Sequence, residues 1–227
     1  MISIENINVS YGKKKVLKNV SMKIEKGNVY GIVGLNGSGK TTLLNAIYGI
    51  KKVDAGTILQ NNEKLSKQNI AYIEAENFFY SYIKGKEYLN LINNKNFDAD
   101  LWGKLFNIPL NELIDNYSTG MKKKLSVLFG LKMNKNIYIF DEPFNGLDVE
   151  SVQILKTIMK KLKKSTKTVI VTSHIIEVLP DICDYIFYIS DGEIKNKYPI
   201  DEFDILKQQL YLMIENNVED LMKNIKI

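Results

Sequence analysis

Apolar and polar residues alternate with a period of about two near the start of the chain, over 2–9 and again over 20–24. This alternation is typical of half-buried β-strands, and it predicts that the two stretches pair. The stretch 28–33 is almost entirely apolar and predicts a buried strand that ends in a glycine-rich turn. The pattern that follows favours a helix over 39–48.

The middle of the chain carries two short strand patterns, at 57–60 and 70–73, and then a mostly helical pattern. That helical pattern runs from 84 to 133, with a break at Ile108-Pro109. After residue 135, strand and helix patterns alternate, which predicts an α/β fold with a mostly parallel sheet and covering helices. The strands are expected at 136–140, 168–172 and 184–189, and the helices at 149–162, 175–182, 203–212 and 218–222.

The composition indicates a globular chain with a sizeable core, because 45% of the 227 residues are hydrophobic and 25% are charged. The single cysteine, Cys183, excludes a scaffold held by internal disulfides. The sequence contains no signal-peptide pattern at its start and no apolar stretch long enough to span a bilayer, so a cytoplasmic location is expected. The net charge of +5 is too weak to indicate nucleic acid, and no such partner is expected.

All 31 basic residues are lysines. The chain therefore cannot supply an arginine finger to an identical subunit, and it cannot bind a carboxylate through a bidentate guanidinium. This argues against a ring-forming ATPase that depends on such a finger. The lysine runs at 122–124 and 160–164 are expected on solvated helix faces.

Residues 34–42 fit the pattern G-x-x-x-x-G-K-[ST], with an apolar strand before it and a helix after it. Glycines in such a loop let successive backbone N–H groups point at phosphate oxygens, and the helix N-terminus adds its positive dipole. Lys40 is expected to reach the β- and γ-phosphates, and Thr41 to ligate Mg²⁺. The alternative is an ordinary glycine-rich turn. The candidate nucleotide-binding residues here are Gly34, Asn36, Gly37, Ser38, Gly39, Lys40, Thr41 and Thr42.

The strand expected at 136–140 ends in two carboxylates, Asp141 and Glu142. In enzymes with such a phosphate loop, an aspartate at this place holds Mg²⁺. Glu142, which follows directly, is well placed to accept a proton from an attacking water. Two adjacent carboxylates can also be a solvated turn, but together with the loop they predict a nucleoside triphosphatase.

Further motifs resemble the ATP-binding subunit of ABC transporters. Residues 116–122 (Asn-Tyr-Ser-Thr-Gly-Met-Lys) stand where that family has its Leu-Ser-Gly-Gly-Gln signature, and 141–148 resemble the family's segment around its catalytic carboxylates. His174 ends the next strand as the family's switch histidine does, and Tyr11 has the spacing of its adenine-stacking aromatic residue. The resemblance runs from residue 2 to about residue 194, with the motifs in the family's order.

The resemblance implies a P-loop NTPase core, with a mostly parallel sheet and covering helices, together with an N-terminal antiparallel β-subdomain and a helical insertion. It implies one ABC ATPase domain over 1–227. Its units are the core with the β-subdomain at 1–75 and 135–200, the helical subdomain at 76–134 and the C-terminal helices at 201–227.

The resemblance also implies roles for single residues, with ATP and Mg²⁺ as cofactors. His174 would hydrogen-bond the γ-phosphate, Tyr11 would stack on adenine, and Ser118 and Gly120 would contact ATP held by a second subunit. The plainer alternatives are a core histidine, a packing tyrosine and a Ser-Thr-Gly turn that caps a helix. The implied catalytic residues are Lys40, Glu142 and His174, and the implied metal ligands are Thr41 and Asp141.

The sequence departs from the family's pattern at two places. Thr119 and Met121 replace a glycine and the glutamine of the signature. The family also has a glutamine just after the second short strand, which helps to place Mg²⁺ and the attacking water, and Ala75 stands at that position here. Either Glu74 or Glu76 supplies the missing oxygen or the contact is absent, and the sequence leaves both open.

The implied function is an ATP-binding and ATP-hydrolysing subunit that powers an ABC transporter through ATP-driven dimerisation. It would form a homodimer, or a heterodimer with a second ATPase subunit, and would bind a separate integral-membrane permease through the aromatic segment 78–82 on the inner face of the cell membrane. The sequence looks like those of exporter-type bacterial subunits, some of which export or protect against antibiotics and bacteriocins. The alternatives are an ABC ATPase acting on a cytoplasmic macromolecule without transport, and a subunit that binds ATP with little turnover.

Overall fold

The computed structural model describes residues 1–222, which form two β-sheets with helices around them. The strands are β1 (Ile2–Tyr11), β2 (Lys14–Ile24), β3 (Val29–Val33), β4 (Ala55–Gln60), β5 (Glu63–Lys64), β6 (Ile70–Ile73), β7 (Ile137–Phe140), β8 (Thr168–Thr172), β9 (Tyr185–Ser190) and β10 (Glu193–Pro199). The helices are α1 (Lys40–Tyr48), α2 (Gly85–Leu89), α3 (Ala99–Leu105), α4 (Thr119–Lys132), α5 (Val149–Lys164) and α6 (Phe203–Met222).

The larger sheet has the strand order β10-β9-β3-β8-β7-β6. Its strands pair in parallel except for β10, which runs antiparallel to β9 at one edge. One face packs against α4, α5 and α6, and the other packs against α1 and the smaller sheet. Because both faces are covered, every residue of β3, β7 and β8 is buried, which explains their continuous apolar sequences. The expected mostly parallel sheet is confirmed.

The smaller sheet is antiparallel and has the strand order β2-β1-β4-β5. Ile2, Ile4, Ile7 and Val9 of β1 are all buried, so the alternation in the sequence corresponds to one face turned toward the core. The antiparallel pairing expected between 2–9 and 20–24 is confirmed.

Between β6 and β7 the chain forms α2, α3 and α4. Asp98 caps α3 and Ser118 caps α4, because their side-chain oxygens accept hydrogen bonds from helix N–H groups. The helical pattern expected over 84–133 is only partly confirmed, since long stretches on either side of α3 are loops and turns. Several asparagines stand before α3, and this residue type favours turns. The break expected at Ile108-Pro109 is confirmed, because α3 ends before it.

The prediction of a helix over 175–182 is wrong. The chain forms only one 3-10 turn there, at Ile176–Val178, because Pro180 has no N–H with which to continue a helix. The sequence also gave no indication of β10, whose exposed residues include Lys195, Asn196 and Lys197. Such a polar strand is compatible with an edge, where Pro199 is also tolerated.

The two helices expected at 203–212 and 218–222 are one continuous helix, α6. Residues 223–227, which belong to the expected C-terminal unit, lie outside the described residues. The expected division into subdomains stays a prediction. None of the helices within residues 1–222 is long and apolar enough to cross a membrane.

Candidate functional site

The loop 34–39 joins the buried strand β3 to the first turn of α1. Gly39 occupies the N-cap position with a φ of 108°, which a residue with a side chain rarely adopts. No side chain within residues 1–222 caps this helix. Its first N–H groups are therefore left to a ligand, and at a helix N-terminus such donors favour an anion.

Lys40 is buried at the start of α1, and its Nζ donates to the carbonyl oxygen of Gly34 at 2.8 Å. Burial lowers the pKa of this amine, and the carboxylates of Glu142 and Asp141 oppose that shift. The Oγ of Ser38 is buried and has no hydrogen-bond partner among the described residues. The loop thus combines a held ammonium group with an unsatisfied hydroxyl, and both fit the oxygens of a phosphate group.

Asp141 follows β7 directly and is almost fully buried. Its Oδ1 accepts a hydrogen bond of 2.6 Å from the Thr172 hydroxyl at the end of β8. Its Oδ2 is buried without a partner in the part of the chain that the structure describes. A buried carboxylate oxygen without a donor fits a divalent cation, and oxygen ligands are those that Mg²⁺ prefers. Asp141 is therefore suited to hold Mg²⁺, and Thr41, the second expected ligand, lies in the first turn of α1.

Glu142 has a φ of 47°, an uncommon backbone conformation for a residue with a side chain. Hydrogen bonds hold it there, since its N–H donates to the Thr172 hydroxyl at 2.9 Å and its Oε2 accepts from the His174 N–H at 3.1 Å. The ring Nδ1 of His174 lies 2.9 Å from the same Oε2. The structure therefore brings Glu142 and His174 together as one pair. The ring of His174 is about half exposed, so the alternative of a core histidine is wrong.

A cleft of ≈ 500 Å³ runs along the phosphate loop and includes Glu142 among its lining residues. Sequence reasoning missed part of its wall, namely Lys14, Lys15 and Lys18 of β2. The lysine run after Gly12 was a signal that could have indicated them, because positive charge favours phosphate groups. The cleft gathers residues from distant parts of the sequence: Asn36, Gly37, Gly39, Lys40, Thr41, Thr42, Asp191 and Gly192.

Tyr11 does not line this cleft. Its ring is about half exposed, and the Lys51 ammonium group lies 4.2 Å from the ring centroid. Stacking of Tyr11 on adenine stays a prediction.

Ser118 and Gly120 stand at the N-terminus of α4 and do not line the cleft either. The Ser118 hydroxyl accepts a hydrogen bond of 3.2 Å from the Met121 N–H, so the helix-cap interpretation holds. A Cβ at Gly120 would lie 2.7 Å from the carbonyl oxygen of Gly146, so only glycine allows this close approach. Their contact with ATP stays a prediction, and within one chain they are not brought to the phosphate loop.

A family model described as "ABC transporter" matches residues 17–145, which is more than half of the chain. The chain belongs to the ABC transporter family. It is 31% identical over 226 residues to the ABC transporter ATP-binding protein YtrB of Bacillus subtilis, covering 95% of this chain and 76% of that relative. It is 29% identical to the lantibiotic transport ATP-binding protein SrtF of Streptococcus pyogenes, covering 86% of this chain and 89% of the relative. A solved structure of the ATP binding subunit of an ABC transporter superposes with a TM-score of 0.81 at 24% identity, covering 96% of this chain and 98% of that one.

These findings confirm the resemblance to ABC ATP-binding subunits, the fold class and the expected activity class, an ATP-binding and ATP-hydrolysing subunit. They do not bear on single site residues, whose roles stay predictions.

The place of the ABC family's glutamine, after β6, is taken here by a segment without one. Glu74 and Glu76 are exposed and line a separate cleft of ≈ 170 Å³ together with Phe78 and Tyr88. Neither belongs to the lining of the phosphate cleft. Whether either glutamate takes the place of the glutamine stays open.

The expectation that the lysine run 122–124 is solvated was wrong for two of its members. Lys123 and Lys124 are buried on α4. The Lys124 Nζ lies 2.8 Å from Asp148 Oδ2, and this hydrogen bond, with those from Ser151, holds the pKa of Asp148 well below its usual range. Lys123 instead donates to the backbone carbonyl oxygens of Glu74 and Ala75. The lysines of the other run, 160–164, are exposed or half-buried as expected.

Proposed function

We propose that this chain is the ATPase subunit of an ABC exporter and that Glu142 is its general base. The observation that carries the proposal is the pair of Glu142 and His174 beside the phosphate loop, with the two groups 2.9 Å apart. The carboxylate lies in the wall of the phosphate cleft, where it can accept a proton from a water that attacks the γ-phosphate. His174 holds this carboxylate through both its backbone N–H and its ring.

The remaining groups of the cleft bind and orient the nucleotide. The uncapped N-terminus of α1 and the Lys40 ammonium group would hold the phosphates, since both present positive charge at the start of the same helix. Asp141 and Thr41 would hold Mg²⁺, which when bound neutralises negative charge on the phosphate oxygens. The lysines of β2 would attract the nucleotide to the cleft.

We further propose that the active form is a dimer, either of two copies or with a second ATPase subunit. Support comes from Ser118 and Gly120, which lie outside the cleft of their own chain although the family places these positions on ATP. A second subunit in head-to-tail orientation would bring them to the phosphates. Because the chain has no arginine, this contact would rely on the Ser118 hydroxyl and backbone N–H groups.

The proposed permease contact is the aromatic segment 78–82, which follows β6. Phe78, Tyr80 and Tyr82 are 82%, 63% and 87% exposed, whereas Phe79 between them packs against Tyr88. Three exposed aromatic side chains in one short segment are unusual on a surface that contacts only water, and aromatic residues are enriched at protein interfaces. This contact would place the subunit on the inner face of the membrane. The proposed cargo is an antimicrobial peptide or antibiotic, which is supported by the similarity to the lantibiotic transport protein SrtF.

The test is Glu142→Gln, which keeps the size of the side chain and removes its basicity. We expect the turnover of ATP to fall at least about a hundredfold, because a general base contributes that much or more. ATP should still bind, and the variant should form a dimer with ATP that is stable in size-exclusion chromatography. Glu63→Gln, on exposed β5, is the matched control and should keep wild-type turnover. Unchanged turnover in Glu142→Gln would remove Glu142 from the proposal.

The segment without a glutamine favours a second candidate, a subunit that binds ATP with little turnover. That candidate predicts a wild-type rate close to that of Glu142→Gln, together with normal binding of ATP. The two rates therefore distinguish the candidates in one experiment.

A further inference from the structure

Helix α4 carries three buried lysines, Lys123, Lys124 and Lys132, although charged side chains are rarely buried without partners. Lys124 has a carboxylate partner, Asp148. Lys132 lies near the C-terminal end of the helix and donates to the side-chain oxygen of Asn90 at 3.2 Å. Lys123 differs from both, because all of its hydrogen-bond acceptors are backbone carbonyl oxygens.

The Lys123 Nζ donates to the carbonyl oxygens of Glu74 at 3.0 Å and of Ala75 at 2.9 Å. It also lies 3.5 Å from the carbonyl oxygen of Asp141. The residue is only 4% exposed, so these acceptors replace water around its charge. Carbonyl oxygens satisfy the donors of an ammonium group without neutralising it, and a charge that is buried in this way holds its partners firmly.

The three acceptors belong to two different parts of the molecule, the segment after β6 and the end of β7. Glu74 and Ala75 form the start of the connection that leads from β6 into the helical insertion. Asp141 directly follows β7 and precedes the proposed base, Glu142. Lys123 itself lies in the second turn of α4, close to Ser118 and Gly120 at the start of this helix. One ammonium group thus joins the N-terminal part of α4 to the end of the central sheet.

We propose that Lys123 is a positioning residue that makes the start of α4, the segment 74–75 and the carboxylate end of β7 move as one body. The segment directly after β6 has no glutamine whose side chain could provide such a link, and Lys123 provides the link instead through hydrogen bonds to backbone carbonyls. When a second subunit displaces the start of α4, the displacement is passed to Asp141 and Glu142. When the carboxylates are in place, the start of α4 is held for the second subunit.

This inference rests on the proposed roles of Glu142 and of the dimer, and its test separates them. Lys123→Met keeps the length of the side chain and removes its charge and donors, and Lys123→Gln is a milder change that keeps one donor group. Lys132→Met is the matched control, since it removes a buried lysine from the opposite end of the same helix, where Lys132 donates to Asn90 and not to the carbonyl oxygens near the carboxylates. The unfolding temperature of each variant without nucleotide records how much stability the substitution costs.

The first measurement is steady-state hydrolysis of ATP. We expect Lys123→Met to lower kcat at least about tenfold while KM stays within about threefold, because misplacement of catalytic groups acts on the chemical step more than on binding. Lys123→Gln should lie between Lys123→Met and the wild type. Lys132→Met should leave kcat within about twofold of the wild type, and its unfolding temperature records how much stability the loss of a buried lysine on α4 costs.

The second measurement needs no turnover. In the Glu142→Gln background, we expect Lys123→Met to raise the ATP concentration for half-maximal dimerisation at least about fivefold, as for a coupling between two sites. Binding of ATP to the monomer should be unchanged. Normal kcat with normal dimerisation overturns the inference, and so does a loss of kcat that Lys132→Met reproduces. If Glu142→Gln alone keeps wild-type turnover, the assignment of Glu142 fails, whereas the kcat and unfolding comparison of Lys123→Met with Lys132→Met still decides whether Lys123 acts on the site.

Discussion

Helices α1 and α4 each begin at a motif that is expected to contact ATP, but only α4 has a side-chain cap at its N-terminus. Helix α1 begins at Gly39 without a side-chain cap, and next to it the Ser38 hydroxyl is buried without a partner among the described residues. Helix α4 begins at Ser118, whose hydroxyl already accepts a hydrogen bond from the Met121 N–H. The first terminus therefore leaves its donors to a ligand, and the second satisfies part of its own.

The difference fits the proposed dimer, in which both termini would contribute to one ATP site. An uncapped N-terminus in a wide cleft can bind phosphate within a single chain. A capped N-terminus is stable without ligand, which suits the proposed dimer, in which a second subunit would bring a nucleotide to it. The position of Gly120, packed on the carbonyl of Gly146, fixes this surface relative to the turn after Asp141-Glu142.

The largest effect is expected at the uncapped terminus. Lys40→Met removes the ammonium group that lies among the loop carbonyls and the two carboxylates, and we expect turnover to fall at least about a hundredfold, as for the loss of one preorganised electrostatic contact. Binding of ATP, measured by calorimetry, should weaken strongly as well. Lys195→Met is the control, because Lys195 is exposed and its one ion-pair partner within residues 1–222 is Glu193. If Lys40→Met binds and hydrolyses ATP normally, the two termini do not differ in the way described.

A smaller effect is expected at the capped terminus. Ser118→Ala should lower the free energy of unfolding by about 1 kcal/mol, the usual cost of a lost N-cap, as measured by urea titration. Asp98→Ala removes the equivalent cap of α3 and should cost a similar amount. Only Ser118→Ala should also impair ATP-driven dimerisation and turnover. Equal loss of turnover in both variants would mean that Ser118 acts through helix stability alone.

The smallest effect is expected at the segment that lacks a glutamine. Because the side chains of Glu74 and Glu76 are exposed to water, we expect Glu74→Ala and Glu76→Ala each to leave the Mg²⁺ concentration for half-maximal hydrolysis within about twofold of the wild type. Asp141→Asn is the positive control and should raise that concentration. A clear rise in either glutamate variant would show that the segment rearranges to bring a carboxylate to the metal.

The sequence patterns predicted well those elements whose pattern and length are compatible with only one type of secondary structure. The apolar strands β3, β7 and β8 and the loop before α1 belong to this group, since all their signals are local. The apolar periodicity over 175–182 wrongly predicted a helix, because Pro180 has no N–H with which to continue one. The sequence patterns missed β10, because a strand at the edge of a sheet needs few apolar residues. Buried lysines on α4 were missed because their partners lie far away in the sequence.

By itself, the sequence determined the family, the parallel core, the phosphate loop and the Asp-Glu pair, because each is written in consecutive residues whose local geometry follows from strand, turn and helix preferences. Only the tertiary structure decided which groups meet. It placed His174 on Glu142, brought the lysines of β2 to the phosphate cleft and turned Lys123 inward onto the carbonyls beside Asp141. Such contacts depend on how the strands and α4 pack together, and a pattern of neighbours along the chain does not contain that information.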